Sequence, residues 1–100
     1  MPEHPLAPLE RIDPEFIKKI GEMDALVYAD GALPRKFKLL IALAFDAAQG
    51  AEKGVQALAG RAMAAGATKA EIVDALRVAY QLSGVGALYV AAHGLKDCLD

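Results

Sequence analysis

The stretch that decides the fold runs from Gly31 to Gly86: GALPRKFKLLIALAFDAAQGAEKGVQALAGRAMAAGATKAEIVDALRVAYQLSGVG. Its glycines and its single proline cut it into helical lengths. Pro34 suits the start of a helix, where its missing N–H has no partner to lose. Phe37, Leu39, Leu40, Ile41, Leu43 and Phe45 then surround that helix with apolar surface. A helix apolar nearly all round is central, or is shared with another subunit. Gly50 marks its end. A further helix, about Glu52 to Ala65, is rich in small residues and carries Gly60 in its interior. Such a glycine costs about 1 kcal/mol relative to alanine, and a close backbone contact with a neighbouring helix would account for it. Beyond Gly66, Thr68 and Glu71 form a capping box. Ile72, Val73, Leu76, Ala79, Tyr80 and Leu82 give the helix they open its apolar side, and Ser83-Gly84-Val85-Gly86 breaks it.

Outward from this stretch the pattern continues. Asp13-Pro14 is a helix start, with Asp as N-cap and Pro at the first helical position. Phe16, Ile17, Ile20, Met23 and Val27 follow at helical spacing, and Gly31 is the expected stop. On the other side, Ala87 to about Leu95 forms a last helix with Leu88, Ala91, Ala92 and Leu95 along one face. Residues 1–12, with prolines at positions 2, 5 and 8, read as an extended N-terminal arm rather than a helix. No strand-like alternation occurs. The expectation is an all-α domain of about five helices over residues 13–100, preceded by that arm.

The bulk numbers agree. A chain of 100 residues is one domain with one core. It is 55% hydrophobic but only 6% aromatic, with alanine supplying the excess. Alanine favours helices. The second and last helices carry too few polar residues to face water, so burial between subunits of a homo-oligomer is expected. The net charge of −2 and the lack of a basic stripe give nucleic-acid binding no electrostatic support. The apolar run Leu39–Phe45 is too short to span a bilayer. The acid- and proline-containing start is unlike a secretory signal, and a cytoplasmic location follows by default. Cys98, the one cysteine, has no second thiol to pair with in its own chain.

Three pieces in order carry a family likeness: Gly31-Ala32-Leu33-Pro34 leading into Lys36, Lys38, Leu39, Ile41 and Ala42; Ala64-Ala65-Gly66-Ala67-Thr68 with Glu71 and Ile72; and Gly84-Val85. Together they resemble the carboxymuconolactone decarboxylase / alkylhydroperoxidase D-like family. That resemblance implies an alkylhydroperoxidase D-like helical fold and assembly as trimers, or as hexamers built from dimers. In redox members, a Cys-x-x-Cys-x-x-x-His run opens the helix after the equivalent of Ala47-Ala48-Gln49-Gly50, where the positive end of the helix dipole stabilises a thiolate. Here the matching positions hold Ala51 and Gly54 for the cysteines, Leu58 for the His, and Leu39 for a Glu of the proton relay. None of these can be nucleophile, acid or base, so dithiol peroxidase or reductase chemistry is not expected. The decarboxylase branch needs no cysteines but often places a His where Leu58 stands, and Gly86 replaces a proline common there.

Several residues remain as candidates. Lys53, between the two emptied cysteine positions, could bind a carboxylate or carbonyl, or be a solvated lysine. Arg35, Lys36 and Lys38 at a helix start suit an anionic ligand, or salt bridges to Glu22, Asp24 and Asp30. His93 and Asp97, one helical turn apart, could contribute two ligands to a metal or be surface residues, and no further His or Cys cluster supports a site; no metal or cofactor is expected. Tyr80 could hydrogen-bond a ligand or simply belong to the core. Asp46, at the polar end of an apolar helix, could be a buried acid, or could cap a turn or pair with Lys53 or another cation. His4 lies in the arm. The leading functional expectation is a diverged family member that binds or transforms a small carboxylated or oxygenated molecule without dithiol chemistry. Whether it is an enzyme, decarboxylase-like if so, stays open. The alternatives are a non-enzymatic oligomeric interaction protein, and a weak peroxidase-type activity through Cys98.

Overall fold

The structure, a computed structural model, describes residues 4–99. Seven helices follow one another: α1 (Ala7–Ile12), α2 (Pro14–Tyr28), α3 (Arg35–Gln49), α4 (Glu52–Ala64), α5 (Lys69–Ser83), α6 (Gly86–Gly94) and α7 (Lys96–Leu99). No strand occurs among the described residues. Five of the helices are those read from the sequence, and two short ones are added at the ends. α1 occupies part of the expected extended arm. Pro8 is tolerated there because it sits in the first turn of the helix, where no intrahelical N–H bond is lost.

The chemistry of the helix ends explains the boundaries. Asp13 accepts the Phe16 N–H at 3.2 Å and starts α2. That helix stops at Tyr28, short of Gly31, because Ala29 turns to an extended conformation. Asp30 then accepts the Arg35 N–H at 2.7 Å, so the loop carboxylate caps α3, which Pro34 cannot do. Gly50, at φ 82°, ends α3 in the left-handed region that favours glycine, and the Ala51 N–H closes onto the Asp46 carbonyl at 2.8 Å. The Thr68–Glu71 capping box opens α5 with both reciprocal bonds present. Glu71 also pairs with Lys36 at 3.0 Å. The Thr68 backbone bond first, and Lys36 second, hold the Glu71 carboxyl below its ordinary pKa.

α3 is the hub, packing on α4, α5 and α6. Its Leu39 and Leu43 are fully buried together with Val55, Ile72 and Leu95, and Ala47, Ala59, Ala62 and Ala91 let the helices approach closely. No polar or charged residue is buried among those described. Close backbone approach falls at Gly94, not at Gly60. A Cβ on Gly94 would lie 2.7 Å from the Glu52 carbonyl oxygen, whereas one on Gly60 would meet nothing within 4 Å.

α1 and most of α2 pack little against the rest, and only the end of α2 reaches the core, through Tyr28. Neither has a buried residue, and the radius of gyration of 14.4 Å exceeds the ~13 Å usual for a compact chain of this length. Phe16, Ile20, Met23 and Val27, at spacings of four, three and four residues, leave an apolar stripe of α2 exposed. Phe37, Ile41 and Phe45 on α3, with Val78 and Leu82 on α5, are exposed as well.

Candidate functional site

α3 and α4 are antiparallel neighbours joined at Gly50, and the end of α2 lies against them. Between the three is an open hollow of about 490 Å³. Its apolar wall is Ala42, Phe45, Ala57 and Leu58; its polar groups are Tyr28, Asp46, Gln49 and Arg61. The periodicity that gathers them is simple. Ala42, Asp46 and Gln49 share one face of α3, and Gly54, Leu58 and Arg61 share one face of α4, each set spaced four and three residues apart.

Arg61 is held from two sides. Its Nη2 donates to Asp24 at 3.0 Å, and its guanidinium carbon lies 4.9 Å from the Tyr28 ring centroid. The backbone at Tyr28 is tied down in turn, since its carbonyl accepts from Arg35 Nη1 at 3.2 Å. The Asp24–Arg61 pair is too exposed to contribute much stability; its consequence is an oriented guanidinium. Asp46 is half-buried against α4. A Cβ on residue 54 would overlap its carboxylate, with Asp46 Cγ only 2.9 Å away, so the absent side chain of Gly54 is what admits Asp46.

The four positions matched to the redox family are split by the structure. Gly54 and Leu58 line the hollow. Ala51 caps α4 without a side-chain hydrogen bond, and Leu39 is fully buried in the core. Lys53 is exposed on the first turn of α4 and is not part of the hollow's lining. Arg35, Lys36 and Lys38 diverge: Arg35 binds the Tyr28 carbonyl, Lys36 binds Glu71 and lies 5.1 Å over the Phe37 ring, and Lys38 donates to the Ala29 carbonyl at 2.7 Å. These cations tie the α2–α3 loop and α5 to α3. Of the acids expected beside them, Asp30 binds the Arg35 backbone and Asp24 binds Arg61 instead.

Tyr80 is 47% exposed on α5, away from the core role open to it. His93 is exposed at the end of α6, while Asp97 belongs to α7, so the two do not share the helical turn their spacing suggested. Among the described residues, no three His, Cys, Asp or Glu side chains gather as a metal-binding group. His4 accepts the Leu6 N–H at 3.1 Å. Cys98 is partly buried with its Sγ 3.0 Å from Met63 Sδ. Arg61 and Tyr28 escaped the sequence reading, although the 54–58–61 spacing on α4 pointed to Arg61.

A second hollow, about 610 Å³, lies between α3 and α5. Phe37, Ile41, Phe45, Val78 and Leu82 make it mostly apolar, with Glu71, Asp74 and Ser83 as its polar groups. No described helix is long and apolar enough to cross a membrane.

Residues 14–97 match the carboxymuconolactone decarboxylase family, and the chain belongs to that family. Comparison with curated proteins and with solved structures gives no match.

Proposed function

We propose that this chain is a family member without dithiol chemistry that holds a small carboxylated or oxygenated molecule in the hollow between α2, α3 and α4. The observation that carries the reading is the polar pair left there: an oriented guanidinium, Arg61, and a carboxylate, Asp46, beside positions whose own side chains are inert. Concave sites with an apolar wall and a few converging polar groups are the usual ligand sites of proteins. Arg61 replaces Lys53 as the expected carboxylate anchor, because a partly desolvated, planar guanidinium binds a carboxylate bidentately and a fully solvated ammonium gains little. The single cysteine leaves no dithiol within one chain. Calorimetric titration with phenylacetate tests the reading. Binding is expected to be lost in Arg61→Ala and kept in Lys53→Ala. Binding that survives Arg61→Ala would overturn it.

The uncovered apolar surface favours a homo-oligomer, and the family likeness implies a trimer or hexamer. α2 buries none of its residues, and the α3–α5 hollow is walled by exposed aromatic and aliphatic side chains. Apolar patches of this kind mark contact surfaces. Light scattering of the purified chain is expected to give a multiple of 10.5 kDa; a monomer at micromolar concentration would sink this part. The same surface is what a non-enzymatic interaction protein would use, and that is the second reading.

A further inference from the structure

We propose that the hollow selects a small carboxylic acid that also carries a hydroxyl or amine, with Arg61 taking the carboxylate and Asp46 taking the donor. This rests on the reading of the α2–α3–α4 hollow as the ligand site and goes beyond it by requiring two groups on one molecule.

The requirement comes from the two opposite charges that share the hollow without satisfying each other. Arg61 has five N–H donors. Asp24 takes one at Nη2, and the Tyr28 ring covers a face rather than an edge. The rest of the fork is open to a planar, two-oxygen partner. Asp46, when ionised, is an acceptor with room for about four hydrogen bonds. Its carboxylate receives none from any described residue and forms no ion pair with them, Lys53 included. A plain carboxylate bound at Arg61 would bring a second anion towards Asp46 and give it no proton. A plain alcohol or amine would leave the guanidinium donors that Asp24 does not take without an acceptor. A hydroxy or amino acid answers both, and its hydrocarbon part meets Phe45, Ala57 and Leu58.

Gly54 is the second part of the device. Any side chain there would displace the Asp46 carboxylate, so the glycine is what places the acceptor. The position matched to a family cysteine has thereby become the space that a carboxylate occupies. Sites built to hydrogen-bond a substrate hydroxyl reject analogues lacking it, because the site's polar group is then left unpaired.

Three probes built on one benzyl group separate the possibilities: mandelate, with carboxylate and hydroxyl; phenylacetate, with the carboxylate alone; and benzyl alcohol, with the hydroxyl alone. Calorimetry on the unmodified protein is expected to rank mandelate at least about tenfold tighter than either of the others. Asp46→Ala and Gly54→Ala are both expected to bring mandelate down to the level of phenylacetate. The second does so while leaving every polar group in the chain. If phenylacetate matches mandelate and both need Arg61, the ligand site stands and this selection falls. If none of the three binds, both fall. A preference for mandelate that persists in Asp46→Ala overturns the role of Asp46. The comparison among probes needs no variant, so a poorly folding substitution does not blunt it.

Discussion

Leu39→Glu is expected to lower the unfolding free energy by about 3–5 kcal/mol at neutral pH, the cost typical of an uncompensated buried charge. Leu39 is fully buried on α3, and the core around it holds no buried polar or charged residue. A carboxylate there finds only hydrocarbon. The loss is a large part of the 5–15 kcal/mol that holds a typical domain together. Leu39→Ala isolates the packing component, itself worth about 2–5 kcal/mol, and pH isolates the charge. Burial raises the folded-state pKa of Glu above its unfolded value of about 4.3. Below the unfolded value both states are protonated and the charge penalty vanishes. It grows as pH rises and is complete above the folded pKa. Urea unfolding at pH 7 and at pH 4, each read against the unsubstituted protein, therefore narrows the gap for the Glu variant at pH 4 and leaves the Ala variant's gap unchanged. A Glu variant that tracks Leu39→Ala at both pH values would mean that position 39 reaches water. The position matched to a proton-relay Glu is thus committed to the core, and reinstating the acid would cost the fold before it restored any chemistry.

The punctuation of the chain carried most of the fold. Asp13-Pro14, Gly50, Gly66 and the Thr68–Glu71 box mark helix ends because each acts within four residues of itself, through a cap or a φ that only local chemistry sets. The misreadings involve partners distant in sequence or competition between local signals. Gly31 looked like the end of α2, but Asp30, capping α3, pulls the loop into shape earlier. Prolines 5 and 8 suggested an extended arm, yet Pro8 falls in the one turn of a helix that accepts it. Gly60 looked like the close-packed glycine; which glycine of an alanine-rich helix pair meets another backbone depends on how the helices cross, and that is not written in either one. The site divides in the same way. Gly54 and Leu58 were found through the family likeness. Arg61 was missed because its significance lies in Asp24 and Tyr28, more than thirty residues away along α2. The α4 periodicity alone could have placed it beside Gly54, though it could not have shown the guanidinium held in place.

Gly94→Val is expected to destabilise the fold by about 3 kcal/mol, at the upper end of what overpacking usually costs. Gly94 is buried at the end of α6, where that helix meets the start of α4. Its missing Cβ would stand 2.7 Å from the Glu52 carbonyl oxygen and 3.1 Å from both Cβ and Cγ1 of Val55. The nearest of these is backbone, which cannot swing aside as a side-chain tip would, and Val55 is itself fully buried. Relief requires α6 to move away from α4. That opens the packing of Ala91 and Leu95 and shifts the first turn of α4, which carries Gly54 into the hollow. Alanine at position 94 meets the same carbonyl but regains about 1 kcal/mol of helix propensity, so Gly94→Ala should lose less than Gly94→Val. Gly60→Ala is the matched control on α4: nothing lies within 4 Å of its added Cβ, and the propensity gain stabilises the chain. Equilibrium urea unfolding of the three variants should give the order Gly60→Ala, Gly94→Ala, Gly94→Val from most to least stable. A destabilising Gly60→Ala would place that glycine at a contact between subunits, the close approach that the single chain lacks. A neutral Gly94→Val would show that α6 is free to slide, and the positioning of Gly54 would then need a support other than this contact.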